Sequence, residues 1–312
     1  MRILVTGAGG FVGRNLVEEL KRREIHEIYA GLYHEMVNYG SQVKIIPLNI
    51  MDSEQFRRVV YEIEPHCIIN LAGQSYVGVA WDNPSETFQV NTLGTIKMIH
   101  VLSQEFRQVK LITIGSGEEY GLTGKSGRLL LEQDPCFPQN PYATSKLALG
   151  QVAVQYSCKE KLNIIHIRPF NHFGPGQMEG YVVSDFSSQI ARIEKSLIPP
   201  VIRVGDLAVQ RDFTDVRDVV KAYADLMEKK VDSGIYNVCS GTPRFIKDIL
   251  NYLIESASVS VDVKIDEAKK RSSLVPIAVG SAEKLKKATG WRPQREFKES
   301  LAETLDWWRS RT

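Results

Sequence analysis

The chain has 312 residues, 43% hydrophobic and 24% charged, with a net charge of +2. That length suits one large domain or two interlocked ones, and the near-neutral balance gives no electrostatic case for nucleic acid or a membrane as the main partner. Four scattered cysteines (Cys67, Cys136, Cys158, Cys239) without a CxxC pair argue against a disulfide framework or a metal site and for a reducing cytoplasm.

In chain order, "RILVT" (2–6) reads as a strand and 11–23 as an amphipathic helix. The chain thus opens directly into a strand, without a signal-peptide pattern, and no apolar stretch approaches the ~18 residues of a membrane span. Between strand and helix, "VTGAGGFVG" (5–13) sets Gly7, Gly10 and Gly13 at three-residue spacing. Glycine lets the backbone turn tightly and approach a pyrophosphate, while free N–H groups opening the helix, at Phe11, Val12 and Gly13, attract the anion. The triplet alone also fits a structural turn; its place between strand and helix favours a dinucleotide.

Further strands are expected at 27–32, 43–48, 67–72, 109–115 and 163–168, alternating with amphipathic stretches as a parallel α/β sheet requires. The second ends in "YAGLYHEM", without the well-placed carboxylate that grips the ribose in NAD-preferring sites. Glu35 comes late, and Arg14 and His34 are the basic candidates near a 2′-phosphate, so NADP(H) and NAD(H) both stay open. "PLNIMD" (47–52) offers Asn49 and Ile50 to the adenine.

Residues 84–106 repeat apolar positions at helical spacing, as do 142–156. "PFNHFGPGQ" (169–177) then breaks the rhythm with proline and glycine, so other structure is expected after the sheet. Apolar stripes at 244–257 and from Phe297 to Trp308 read as packing faces. With no linker in sight, the expected organisation is a nucleotide-binding domain of 1–168, rejoined by 213–240, and an interleaved substrate domain of 169–212 and 241–312.

"NPYATSKLALG" (140–150) places Tyr142 and Lys146 four residues apart on one helical face. Free tyrosine titrates near ~10 and lysine near ~10.4, so neither is a ready catalyst at neutral pH. A nearby ammonium, with the positive nicotinamide ring, favours the phenolate and lowers the tyrosine pKa, which suits proton exchange with a carbinol or carbonyl oxygen. A surface tyrosine and lysine sharing a face would show the same spacing. "LITIGSGEEYG" (111–121) runs an apolar strand into Ser116, Gly117, Glu118 and Glu119; of these, Glu119 is expected to have no special role.

The glycine loop, a serine ending the fifth strand and Tyr142-x-x-x-Lys146 occur in the order of the short-chain dehydrogenase/reductase superfamily. "TGAGGFVG", "LAGQS" (71–75), "NPYATSK" and "QRDFTDVRDV" (210–219) resemble its extended, nucleotide-sugar branch over essentially the full length. The resemblance implies an α/β fold: a Rossmann-like doubly wound parallel sheet, an NAD(P) cofactor and a smaller α/β substrate domain. It implies that Ser116 hydrogen-bonds the reacting oxygen, that Tyr142 is the acid/base, and that Lys146 also holds the nicotinamide ribose. By the same resemblance Leu71, Ala72, Gly73 and Ile114 line the cofactor groove, and Asn91 supports the site from beneath. Gln74, Gly117, Glu118 and Asn171 would meet the sugar nucleotide, and Arg211 and Arg271 its diphosphate, a task suited to forked donors.

Within that branch "RPFNHFGPGQ" (168–177), "LAGQSYV" (71–77) and "GIYNVCSG" (234–241) are similar to the GDP-4-keto-6-deoxy-D-mannose reductases, which make GDP-D-rhamnose. That pattern makes His172 a loop-packing residue rather than a catalyst. The sister GDP-mannose 4,6-dehydratases carry a hydroxyl-hydroxyl-Glu triplet where this chain has Ser116-Gly117-Glu118. Gly117 offers no side chain to a leaving hydroxyl, and Ser184 and Asp185 stand where basic residues are expected, so both favour a reductase. A 4,6-dehydratase, a C4 epimerase and a non-catalytic NAD(P) sensor remain the alternatives. The implied partners are a GDP-linked 4-keto-6-deoxyhexose and a second copy of the chain, paired through the helices around 84–106 and 142–156.

Overall fold

The apolar runs of the first half pair as parallel strands because most can be covered on both faces. The computed structural model describes residues 1–34, 37–267 and 274–312. It opens with β1 (Arg2–Thr6), β2 (Glu27–Leu32), β3 (Val43–Pro47), β4 (Cys67–Asn70), β5 (Lys110–Ile114) and β6 (Ile164–Pro169). After the short strands β7 (Asn171–Phe173), β8 (Val201–Val204) and β9 (Gln210–Asp215), the chain returns to add β10 (Gly234–Val238). The seven-stranded sheet has the order β10-β6-β5-β4-β1-β2-β3. Ile3 faces Ile28 on one side and Cys67 on the other, and Leu111 faces Ile164. The order reverses between β1 and β4, which is where an open α/β sheet leaves a crevice beyond its carboxyl ends.

Side chains of β1 alternate between the two faces, as the period of two requires. Ile3 and Val5 join a core with Leu16 and Leu20 of α1 (Phe11–Arg23) and, from further along, Val219 and Tyr223. Leu4 enters a second core with Phe56 of α2 (Ser53–Ile63), Met98, Leu102 and Leu149. Each such buried side chain contributes about 2 kcal/mol of transfer free energy.

The stretch 84–106, expected as one helix, follows α3 (Val77–Asp82) and is broken into α4 (Pro84–Phe88), a π-helical turn (Gln89–Gly94) and α5 (Thr95–Glu105). The break has local causes. The Asn91 side chain bonds both backbone groups of Gln74, and the Thr92 hydroxyl donates to the Ser145 carbonyl at 2.9 Å. A wider turn brings both residues inward, and π-turns of this kind recur at functional sites.

After α6 (Pro141–Glu160), the chain builds α7 (Val182–Glu194) and α8 (Val216–Glu228), then β11 (Pro243–Phe245), α9 (Ile246–Glu255), β12 (Asp262–Ile265) and β13 (Ile277–Ala278). β9 pairs with β7, β11 and β13, and β8 pairs with β12. Phe173, Phe186, Phe213 and Leu250 form a separate core with Leu301 and Leu305 of the last helix. The expected boundary needs one correction. α10 (Glu283–Thr289) packs on the seven-stranded sheet: Leu285 and Trp291 belong to the core of Ile3, and Trp291 donates to the Asp218 carbonyl at 2.9 Å. α11 (Phe297–Arg311) then returns to the core of Phe173 and Phe213. Among the described residues no helix is long and apolar enough to cross a membrane.

Candidate active site

The glycine loop closes on itself. Gly7 has φ +61°, and a Cβ there would lie 2.6 Å from the Ala72 nitrogen. A Cβ at Gly13 would lie 2.4 Å from the Gly7 carbonyl, so only glycine lets α1 start against the turn. Gly10, the N-cap, is exposed, and the first turn of α1 holds no acidic residue. The opening N–H groups, at Phe11, Val12 and Gly13, lack intrahelical acceptors and stand at the positive end of the helix dipole. An anionic diphosphate fits this cradle. Leu71 and Ala72 border it from the end of β4, and the Leu71 amide donates to the Thr6 carbonyl at 3.2 Å.

Elsewhere along the groove, Asn49 uses its side-chain oxygen on the Met51 amide at 2.9 Å, while Ile50 is buried. β2 ends at Leu32, followed by Tyr33 and His34, whose rings lie 3.7 Å apart. Arg14 donates to the Gly9 carbonyl at 2.8 Å. Glu35 lies outside the described residues.

Asn140 caps α6 by accepting from the Ala143 amide at 2.8 Å, and Pro141 starts the helix, so Tyr142 stands in its first turn. Tyr142 and Lys146 meet Ser116 beyond the end of β5. The Ser116 hydroxyl hydrogen-bonds Tyr142 and accepts from the Glu118 amide at 3.1 Å. The Lys146 ammonium lies 5.9 Å from the centre of the Tyr142 ring and donates to the Ile114 carbonyl at 2.9 Å. Asn91, in the π-turn, fixes Gln74 from below and donates to Ser145 at 3.2 Å. A Cβ at Gly73 would meet the Asn91 side chain at 2.9 Å.

Burial pushes the Tyr142 phenol above its ordinary value, and the Ser116 hydrogen bond only partly offsets it, so the group is a protonated phenol at neutral pH. Burial brings Lys146 down to about 8, against the charge of Glu119.

Several of the remaining candidates have partners of their own. Glu118 is exposed, takes a 3.4 Å contact from Asn140, and acts electrostatically on both Tyr142 and Arg211. Gln74 donates to the Tyr76 carbonyl at 2.5 Å, while its buried side-chain oxygen has no partner among the described residues. Asn171 is exposed on β7, beside Phe213 of β9. His172 binds the Phe170 carbonyl and stacks on Phe11 at 6.4 Å, a packing arrangement. Arg271 lies outside the described residues.

Gly117 sits against packing: a Cβ there would come within 3.0 Å of the Phe170 ring, so any side chain needs that ring to give way. Ser184 and Asp185 have structural partners: Ser184 donates to the Gln177 carbonyl at 2.9 Å, and Asp185 accepts from the Gly180 amide at 2.6 Å.

Two residues at the site escaped the sequence reading. Tyr181, capping α7, shares a 2.7 Å hydrogen bond with Ser75 and acts on Tyr142; nothing in its sequence context marks it. Glu119, expected to be bland, is fully buried and bonds the Ser116 amide at 2.8 Å. Its signal was readable. His166 and Arg168 stand two apart in a buried apolar strand, which puts both on one face in need of a counter-charge.

Comparison with known proteins agrees with this arrangement. The family model for GDP-mannose 4,6 dehydratase matches residues 4–304. The chain is 33% identical over 310 residues to the GDP-6-deoxy-D-mannose reductase of Pseudomonas aeruginosa, covering 99% of this chain and 98% of the relative. Among solved structures it is similar to RMD from Pseudomonas aeruginosa complexed with NADPH, with TM-score 0.86, 32% identity and coverage of 100% and 99% of the two chains. It is also similar to UDP-glucose 4-epimerase from Thermus thermophilus in complex with NAD, with TM-score 0.87, 29% identity and full coverage of both, at 100% each. With the glycine cradle, the parallel sheet and the Ser-Tyr-Lys cluster in place, these likenesses span the whole molecule, and the chain belongs to the GDP-mannose 4,6 dehydratase family of extended short-chain dehydrogenases/reductases.

Proposed function

We propose that this chain reduces the C4 ketone of GDP-4-keto-6-deoxy-D-mannose with NADPH or NADH, giving GDP-D-rhamnose. The observation that carries the reading is the meeting of Ser116, Tyr142 and Lys146 in a chain alike, end to end, to a GDP-6-deoxy-D-mannose reductase.

When bound, a reduced nicotinamide coenzyme supplies the hydride that adds to C4. The Ser116 hydroxyl donates to the C4 carbonyl oxygen and polarises it. Tyr142, held protonated by burial, gives its proton to that oxygen as negative charge develops there. The Lys146 ammonium stabilises the phenolate left behind, and solvent restores the proton. In this reading Gln74, whose buried side-chain oxygen has no partner among the described residues, accepts from a sugar hydroxyl, and Arg211 meets the diphosphate. Glu118 positions the sugar or solvent from the exposed side of the cleft.

The same reading includes a homodimer through α3–α5 and α6, supported by the exposed Val79, Trp81 and Leu93; sedimentation as a monomer at micromolar concentration would refute it. A second reading, 4,6-dehydration of GDP-mannose, is favoured by the carboxylate of Glu118 near Tyr142. Two incubations separate the readings. With GDP-4-keto-6-deoxy-D-mannose and reduced coenzyme, reduction consumes the coenzyme. With GDP-mannose and oxidised coenzyme, only dehydration yields the ketosugar, without net change of coenzyme.

A further inference from the structure

Strand β6 carries His166 and Arg168 on one face of a run buried at every position. Burying such bases costs several kcal/mol unless each is paired. Glu119 pairs both: one carboxylate oxygen accepts from Arg168 Nε at 2.7 Å, the other from His166 Nε2 at 3.1 Å. None of the three side chains is more than 2% exposed. Space is made by two small residues, since a Cβ at Gly115 would lie 2.1 Å from the Glu119 carboxylate and one at Gly150 2.7 Å from His166.

An ion pair serving the fold alone would stop there. Glu119 also accepts from the Ser116 amide at 2.8 Å, closing a reciprocal cap with the Ser116 hydroxyl around the turn that faces Tyr142. Gly115, whose amide bonds the Ile167 carbonyl at 2.7 Å, links that turn to the Ile114 carbonyl that receives Lys146. Despite burial, His166, Arg168 and the Ser116 amide hold the carboxyl below its usual range, so the group is a carboxylate at neutral pH.

We infer that Glu119 is a positioning residue of the reaction: anchored by His166 and Arg168, it fixes the Ser116 turn that faces Tyr142 and, through Gly115, the Ile114 carbonyl that receives Lys146. The inference rests on the proposed C4 reduction. The charged and titratable groups facing Glu119 are His166 and Arg168 from β6, Lys146 and Tyr142 from α6, and Cys136 from the loop before it. Facing Lys146 are Glu119 and the Tyr142 ring.

The test is Glu119→Gln, which keeps the acceptor for Ser116 and removes the charge. Lowered kcat, by about tenfold, is expected with KM for the ketosugar changed less than about threefold, and the alkaline limb of the rate should move to lower pH than in the wild type. The Lys146 ionisation is read separately from the side-chain ¹³C signals of lysine-labelled protein, assigned by their loss in Lys146→Arg. That titration needs no substrate: a wild type inactive on the ketosugar refutes the proposed reaction, while the titration still decides the role of Glu119. If Glu119→Gln does not fold, Glu119→Gln/Arg168→Met removes the Glu119–Arg168 ion pair as a whole and is read in the same way. A folded variant in which Lys146 titrates as in the wild type, with unchanged kcat, overturns the inference; titration at lower pH with reduced kcat supports it.

Discussion

Lys146 is 8% exposed, donates to the Ile114 carbonyl, and is brought from the ordinary 10.5 down to about 8 because burial disfavours the charge. At ~1.4 kcal/mol per pH unit, holding it charged at neutral pH costs the fold about 3 kcal/mol. The folded state sheds the proton first, so between pH 8 and 10.5 the unfolded chain carries more protons and stability rises with pH. Activity runs the other way, since the ammonium is the form that stabilises the Tyr142 phenolate. The expected kcat/KM for ketosugar reduction is level below pH 8 and falls about tenfold per unit well above it. Lys146→Met should lose at least about a hundredfold in kcat. The same variant should be more stable than the wild type by about 2 kcal/mol at neutral pH, the avoided charge less the lost bond to Ile114. Urea unfolding at neutral pH and near pH 10 should show that advantage shrinking as the wild-type lysine neutralises. A flat rate profile through pH 9, with Lys146→Met less stable than the wild type at neutral pH, would refute this reasoning.

Tyr142→Phe removes the proton donor and is expected to lower kcat about a thousandfold while coenzyme affinity, measured by fluorescence titration, changes less than about threefold. Glu118→Gln should leave kcat for reduction within about threefold, with any loss in KM; complete loss of turnover would return weight to elimination. Gly117→Ala drives a methyl against the Phe170 ring and should destabilise the chain by about 1–3 kcal/mol in urea, without creating activity on GDP-mannose.

Legibility followed the range of the interaction. β1, α1 and β2 were expected within the observed bounds, because strand alternation, helical spacing and the glycine loop are local signals. The break of 84–106 was hidden, because its cause is Asn91 reaching Gln74 and Thr92 reaching Ser145 across the fold. The return of α10 to the first core depends on Trp291 meeting Asp218, a contact no periodicity encodes. At the site, the residue types and their order singled out Ser116, Tyr142 and Lys146 as candidates, whereas the bond from Lys146 to the Ile114 carbonyl did not follow from spacing. Glu119 shows the limit most plainly. It sits one residue from Glu118 in the chain, yet one carboxylate is exposed and the other fully enclosed, and only the paired bases of β6 hinted at the difference.

The central claim is met most directly by NMR of the product formed from GDP-4-keto-6-deoxy-D-mannose and reduced coenzyme. The account predicts one coenzyme oxidised per ketosugar consumed, with a C4 carbinol of rhamnose configuration. Unchanged ketosugar and coenzyme, beside conversion of GDP-mannose to that ketosugar by the same protein, would contradict it.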